Sequence, residues 1–247
     1  MASGQVGCTV DDGVATVVLD NPAKRNAMTT DMWTAIPPLL DSLAVDPGVR
    51  VVVVTGAGDV FSAGADISTL TGLVPGVPSP AAVAEDALAA FGKPVVAAIR
   101  GWCVGGGCQV SVACDLRIAE EGARFGITPA KIGVVYPAAT TARLVDLVGP
   151  STAKFLLYTG DFIGAERALR VGLIDELVPV GALDARVAEL ARTLVSRSQL
   201  TQYAAKDLIS AATTERQTRW EEAGRAELAE GVAAFTERRE PKFPWRP

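Results

Sequence analysis

The residues best placed to do chemistry lie between Gly101 and Asp115, where the chain reads G-W-C-V-G-G-G-C-Q-V-S-V-A-C-D. Upstream, Lys93 to Arg100 is a short apolar run opened by proline, the pattern of a buried strand. Downstream, Cys108 to Ala113 is small and apolar enough for a helix buried on all sides. Between them stand Gly105, Gly106 and Gly107. A strand that turns through glycine into a helix leaves unpaired backbone N–H groups at the helix start, where the dipole favours negative charge. Without Cβ atoms, a ligand can come down onto that backbone. The same glycines would equally serve a turn whose only task is close packing.

A second stretch, Phe61 to Asp66 (F-S-A-G-A-D), closely follows the strand-like R-V-V-V-V-T of Arg50 to Thr55. Gly64 lets the backbone turn so that the N–H of Ala65 can face a pocket. One N–H from Ala65 and one from the glycine run could polarise a single carbonyl oxygen, an oxyanion hole made of main chain alone. The chain contains no histidine. That excludes Ser-His-Asp and Cys-His catalysis, histidine general bases and ordinary zinc hydrolase sites. An enolate needs hydrogen-bond donors more than a nucleophile, so the missing histidine and the two backbone clusters agree. Other glycine motifs fit poorly: there is no G-x-x-x-x-G-K-[ST], and G-G-G-C-Q-V is not G-x-G-x-x-G.

The elements that must hold these clusters follow from composition and pattern. With 247 residues, 49% hydrophobic and 21% charged, the chain can bury a substantial core. A net charge of -5 offers no basic face for nucleic acid. No apolar run approaches membrane-spanning length, and M-A-S-G-Q-V lacks the features of a signal peptide, so a cytoplasmic protein without membrane contact is expected. Cys8, Cys103, Cys108 and Cys114 form no C-x-x-C and read as core thiols, so no metal site is expected.

Gln5 to Val10 and Val14 to Leu19 read as a hairpin, and Thr29 or Thr30 caps a helix to about Val45, with a kink or break at Pro37-Pro38. Residues 71–80, with three prolines and two glycines, read as the most mobile segment. Pro80 opens an alanine-rich helix to about Phe91. Asp115 to Ala119 reads as a strand, and 129–137 as loop or a single helical turn. Helices are expected over 138–148, 151–159 and 164–171, with Gly149-Pro150 and Gly160 as stops, then a strand over 173–178. From Ala182 the pattern is wholly helical, in three segments. Strands alternating with helices imply an α/β fold with a mostly parallel sheet over 1–181 and a helical region over 182–247.

Taken in order, these motifs resemble the crotonase superfamily, the enoyl-CoA hydratase/isomerase family. The matching stretches are N-P-A-K-R-N-A-M at 21–28, V-V-V-V-T-G at 51–56, F-S-A-G-A-D-I at 61–67 and K-P-V-V-A-A-I-R-G at 93–101. G-G-G-C-Q at 105–109, A-C-D-L-R-I-A at 113–119, F-G-I-T-P-A-K-I-G at 125–133 and A-L-R-V-G-L-I-D-E-L-V at 168–178 continue the match. The resemblance implies a crotonase (ClpP-like) spiral of ββα units with a C-terminal helical trimerisation region, giving a homotrimer or homohexamer. It also implies an acyl-CoA thioester substrate, with coenzyme A present only as part of that substrate and no separate cofactor. Carried over by motif, Ala65 and Gly106 supply the oxyanion-hole N–H groups, and Ala63, Asp66 and Ile67 line the acyl-CoA channel. Lys24 and Arg25 would lie near the CoA phosphates, and Lys242 and Phe243 are candidates to reach CoA, often a neighbouring subunit's. A solvated surface pair is the plainer reading of Lys24 and Arg25.

The resemblance also marks departures. Hydratases of this family hold a water between two glutamates, at positions occupied here by Gln109 and Pro129. Neither residue can accept a proton, and losing one general base typically costs a factor of roughly a hundred to ten thousand. Decarboxylation of a malonyl-type thioester needs no base, because departing CO2 leaves its electron pair on the α-carbon. T-P-A-K-I-G-V-V-Y at 128–136 resembles the stretch of the methylmalonyl-CoA decarboxylase branch that carries a site tyrosine, which points to Tyr136. The ending A-F-T-E-R-R-E-P-K-F is similar too, although that branch carries glutamate at the Gln109 position and histidine at the Ala65 position. Tyr136 as a pocket wall fits the same pattern. Glu85 or Asp86 facing the pocket would instead suit a hydratase or isomerase with a recruited acid, and a non-catalytic acyl-CoA-binding protein would need neither. Asp66 is expected to brace its loop, and Asp115 to be a structural hydrogen-bonding group.

Overall fold

The computed structural model describes residues 4–68 and 74–247. Two strands, β1 (Gln5–Asp11) and β2 (Val14–Asp20), form the expected antiparallel hairpin. Helix α1 (Thr30–Val45) starts at Thr29, whose hydroxyl accepts from Met32 N at 3.2 Å. The helix runs through Pro37 and Pro38 as one element, so of the expected kink or break there is no break. Trp33, Ile36, Leu40 and Leu43 anchor one face in the core, and tertiary burial outweighs the two missing N–H groups. Buried Lys93 donates to Leu43 O at 2.7 Å and Asp46 O at 2.8 Å, satisfying carbonyls of the last turn.

Strand β3 (Val51–Gly56), helix α2 (Pro80–Ala90) and strand β4 (Val95–Ile99) follow, and Ser79 caps α2 by accepting from Ala82 N at 3.1 Å. Of the segment 71–80, residues 71–73 lie outside the described residues. Next come β5 (Trp102–Val104), α3 (Gly106–Ala113), β6 (Leu116–Glu120) and β7 (Arg124–Gly126). Helix α4 (Ala138–Thr159) is two helices end to end, because Gly149 has φ 73° and ψ 163° at the expected stop. Strand β8 (Ile163–Gly164), helix α5 (Ala165–Arg170) and strand β9 (Glu176–Val178) complete the sheets. The expected strand over 173–178 shortens because Leu173 N turns back to Ala168 O, closing α5. Four helices follow rather than three: α6 (Leu183–Ser196), α7 (Gln199–Ser210), α8 (Thr214–Ala223) and α9 (Arg225–Glu237). Ser198 and Thr213 cap new starts, and Gly224 separates the last two.

The main sheet has the order β1-β2-β3-β4-β6-β9 and is parallel beyond the first pair. The valines of β3 are buried on both faces. Val52, Val54, Val95, Ala97 and Ile99 face the layer of α1 to α4, whereas Val51, Val53, Val96 and Ala98 pack on Leu183, Val187 and Ala191 of α6. A second sheet, β5-β7-β8, was not legible in the sequence, since strands of two or three residues show no periodicity. Ser62 extends it through a parallel bridge to Cys103. Each turn of the chain thus makes a main-sheet strand, a short second-sheet segment and a helix.

The bridge decides what lies next to what. Ser62 N donates to Trp102 O, and Val104 N to Ser62 O, both at 2.9 Å. In parallel register, two or three residues further on, Gly64 and Ala65 come beside Gly105 and Gly106. A Cβ built on Gly107 would lie 2.5 Å from Ser62 Cβ and 2.9 Å from Ser62 O. Because the bridge holds Ser62 on both sides, it cannot withdraw. Gly107→Ala should therefore lower the urea midpoint by the equivalent of about 1–3 kcal/mol, the usual cost of overpacking, with little change in the slope of the transition.

Candidate active site

The loop at 25–28 clamps the loop at 62–66 backbone to backbone. Ala63 N donates to Arg25 O at 2.9 Å, Met28 N to Gly64 O at 2.7 Å and Asp66 N to Met28 O at 2.8 Å. Asn26 locks the clamp from beneath: its amide donates to Ala57 O and Val60 O, and Ser62 Oγ donates to Asn26 O. The amides on either side of Ala65 are used inward, so the N–H of Ala65 points the other way, toward α3. A Cβ on Gly106 would lie 3.3 Å from that nitrogen and 2.9 Å from the Trp33 ring. Only glycine leaves the space open.

Gly105 turns the chain with φ 51° and ψ −120°, a conformation open to glycine, and releases the first amides of α3. Among the described residues, neither Ala65 N nor Gly106 N donates to a protein acceptor. Two adjacent N–H groups of this kind can receive one oxygen carrying negative charge. Tyr136 comes to the same turn: a Cβ on Gly105 would lie 3.9 Å from its hydroxyl and 3.7 Å from Thr128 Oγ1. Burial, reinforced by the Cys108 thiol and by Glu85, raises the phenol above its ordinary value, so Tyr136 is a neutral donor at neutral pH.

Behind the turn lies a cavity whose walls include Gln109, Ile127, Tyr136, Thr140 and Leu144. Gln109 is 7% exposed, and its amide Nε2 has no partner among the described residues. Pro129, also buried, opens a single helical turn, Pro129–Lys131, at the expected place. Asp66 and Lys24 sit together at the rim, with Nζ and Oδ2 2.7 Å apart. Hydrogen bonds from Lys24 and Ser68 hold the Asp66 carboxyl well below the usual range, which fits a brace for its own loop. Ala63 is half-buried, whereas Arg25 and Ile67 are exposed.

The two acids of α2 separate. Asp86 is exposed and pairs with Arg143 at 3.0 Å. Glu85 is 1% exposed and accepts from Thr140 Oγ1 at 2.5 Å. Its burial pushes the carboxyl up to about 7, against the Thr140 hydrogen bond and the Arg143 charge. Asp115 accepts from Val95 N at 2.7 Å and pairs with Lys206 at 2.8 Å, the structural role expected. Lys242 and Phe243 stand apart from this cluster. Lys242 N donates to Glu230 of α9, and Phe243 lies against Gly231. The adjoining Trp245 meets Tyr203 edge to face, and Tyr203 covers Gly92 ahead of β4, whereas the glycine turn follows β4. Asn26, Trp33, Thr128 and Thr140 escaped the sequence reading. For Thr140 the available signal was its four-residue step from Tyr136 across the start of a helix.

Comparison with known proteins agrees with this architecture. The family model described as enoyl-CoA hydratase/isomerase matches residues 9–246. The chain is 33% identical to a crotonyl-CoA hydratase of Syntrophomonas wolfei, over 94% of this chain and 95% of that one. A solved structure of an enoyl-CoA hydratase/isomerase family member has a TM-score of 0.92 at 40% identity, covering 100% of this chain and 98% of the other. A family protein from Hyphomonas neptunium gives 0.89 at 36% identity, covering 98% of each chain. The chain belongs to the enoyl-CoA hydratase/isomerase family, the crotonase superfamily.

Glu85 also makes stability depend on pH. Below about pH 4.5 it is protonated both folded and unfolded, and its burial costs nothing in charge. As pH rises the unfolded chain ionises first, so the cost grows until about pH 7 and is constant above. Glu85→Gln should therefore gain stability relative to the native chain between pH 5 and pH 8, by an amount on the order of 3 kcal/mol. Chemical denaturation at the two pH values checks this.

Proposed function

We propose that this chain acts on an acyl-CoA thioester through an enolate, and that its reaction is the decarboxylation of a malonyl-type acyl group. The observation that carries the reading is the pair of unpaired amides, Ala65 N–H and Gly106 N–H, with the neutral Tyr136 hydroxyl beside them. The thioester oxygen would accept from both amides. As the bond to the carboxylate breaks, CO2 leaves and the electron pair moves into the thioester, placing charge on that oxygen. A proton then closes the α-carbon. Tyr136 donates to the substrate carboxylate or to the enolate. Gln109 and Pro129 support this over hydration, since neither can act as a base.

Lys24 and Arg25 would lie at the CoA phosphates, and Ala63, Asp66, Ile67 and Pro129 along the channel. Lys242 and Phe243 would serve a neighbouring subunit in a trimer or hexamer. Leu228, Val232 and Phe235 support such an assembly, because they are exposed at helical spacing along α9. A second reading, hydration or isomerisation with a recruited acid, is favoured by one observation, the Glu85 carboxyl at about 7 behind Thr140.

Mass spectrometry after incubation with crotonyl-, methylmalonyl- and ethylmalonyl-CoA separates the readings. Loss of CO2 from a malonyl thioester is expected. Water gained by crotonyl-CoA would favour the second reading, and binding without turnover a non-catalytic protein. Tyr136→Phe should lower kcat by roughly a hundredfold or more. Ala65→Pro removes one amide that bonds to no described residue, and should cost a factor of roughly a hundred to a thousand in kcat.

A further inference from the structure

Of the buried carboxylates, Glu85 has the fewest partners. Glu227, by comparison, accepts from Ser198 Oγ and from Trp245 N, ties the C-terminal segment to α7 and α9, and is accounted for by that role. Glu85 receives one hydrogen bond among the described residues, from Thr140. Its cation is poorly placed: Arg143 is drawn outward to Asp86 at 3.0 Å, leaving its other nitrogen 3.9 Å from Glu85. That second nitrogen is itself buried without a hydrogen bond among the described residues. An acid held this loosely costs stability at neutral pH, and its single hydrogen bond leads straight to a cavity wall.

Thr140 is that wall. It is 3% exposed, stands in the first turn of α4 and lines the cavity with Tyr136 and Gln109. The unpartnered Gln109 amide, 93% buried by its 7% exposure, gives the cavity a polar group that lacks an acceptor. A ligand carrying a carbonyl or carboxylate oxygen would supply one. A hydroxyl can both accept and donate, so Thr140 can pass a proton on while its own heavy atoms stay still.

We propose that Glu85 is the proton store of this site, exchanging protons with the α-carbon of the bound acyl group through the Thr140 hydroxyl. The inference rests on the enolate reading but not on decarboxylation. In the outward direction the α C–H bond breaks and its proton moves to Thr140 Oγ. The proton already on Thr140 moves to the Glu85 carboxylate, and the electron pair enters the enolate held by the two amides. In the return direction, protonated Glu85 supplies the proton that closes the carbanion left by CO2, becomes a carboxylate, and recovers its proton from solvent. Glu85 does not touch the reacting carbon; it acts through Thr140.

The groups facing Glu85 are few. Among the described residues, Arg143 and Thr140 come from α4, Tyr136 from the segment before it, and Asp86 from α2 itself; the Cys108 thiol of α3 faces Tyr136. The acids of α1, Asp31 and Asp41, are exposed. With Glu85 ionising at about 7, exchange driven by its carboxylate should rise with pH through that value and then level off.

The test is deuterium uptake at the α-carbon of propionyl-CoA in D2O, followed by mass spectrometry between pH 5 and pH 9. The native enzyme should exchange with a turning point near neutrality. Glu85→Gln and Thr140→Val should exchange at least about a hundredfold more slowly and without that turning point. Thr140→Ser, which keeps the hydroxyl, should retain it. Propionyl-CoA affinity should change little in all three, and a variant that had failed to fold would lose it. A Glu85→Gln enzyme with native rate and native pH profile overturns the inference. Decarboxylation by a native enzyme that shows no exchange overturns it alone, whereas absence of both overturns the enolate reading with it. Exchange that depends on Glu85, in an enzyme that loses no CO2, upholds the inference and overturns the decarboxylase assignment.

Discussion

The parallel bridge between Ser62 and Cys103 is the constraint on which the site depends. Its two hydrogen bonds set three loops in register: residues 62–66, 102–106 and, through Phe125 beside Cys103, the segment that leads to Thr128. A slip of one residue would turn the N–H of Ala65 away from α3, because successive amides of an extended chain point to opposite sides. The bridge is short, so it is braced. Asn26 holds the carbonyls of Ala57 and Val60, Ser62 Oγ holds Asn26 O, and Gly107 allows the helix to lie directly on Ser62. Glycines at 64, 105, 106 and 107 are what close approach of backbone to backbone demands.

Around this frame, charge and neutrality are sorted by depth. Lys24 and Asp66 meet at the rim, where solvent supports both ions. Inside, the polar groups at the turn are amides, a phenol held neutral by burial, a hydroxyl and the Gln109 carboxamide. Dipoles without net charge are stronger partners for an anion here than in water, since little solvent reorganises around them. Among the described residues Glu85 is the buried acid of this neighbourhood, kept behind Thr140 and close to the point where it holds or releases a proton. A site so built suits chemistry in which negative charge appears on substrate rather than on protein.

Much of the local structure was readable residue by residue. Thr29 acts as a cap, Pro80 opens α2, the valine run of β3 is buried on both faces, and Gly149 breaks the chain where expected. Departures came where tertiary contacts overrode local preference. Helix α1 passes through two prolines because its apolar face is anchored in the core. The second sheet consists of segments too short for alternation to register, although they form the bridge on which the site depends. Thr140 carries no motif, and its place beside Glu85 follows from the packing of α2 against α4.

What the sequence by itself determined is the list of parts: glycine turns that can free backbone amides, the absence of histidine, and a glutamine, a proline and a tyrosine in the stretches after the glycine run. These are properties of residue type and order, and they limit the chemistry before any folding. The tertiary structure alone decided how the parts meet. Ala65 and Gly106 are 41 positions apart (106 minus 65), and Glu85 and Thr140 are 55 apart. Contacts at that separation depend on strand register and helix packing, which arise from summed burial over the whole core and leave no local mark on the chain.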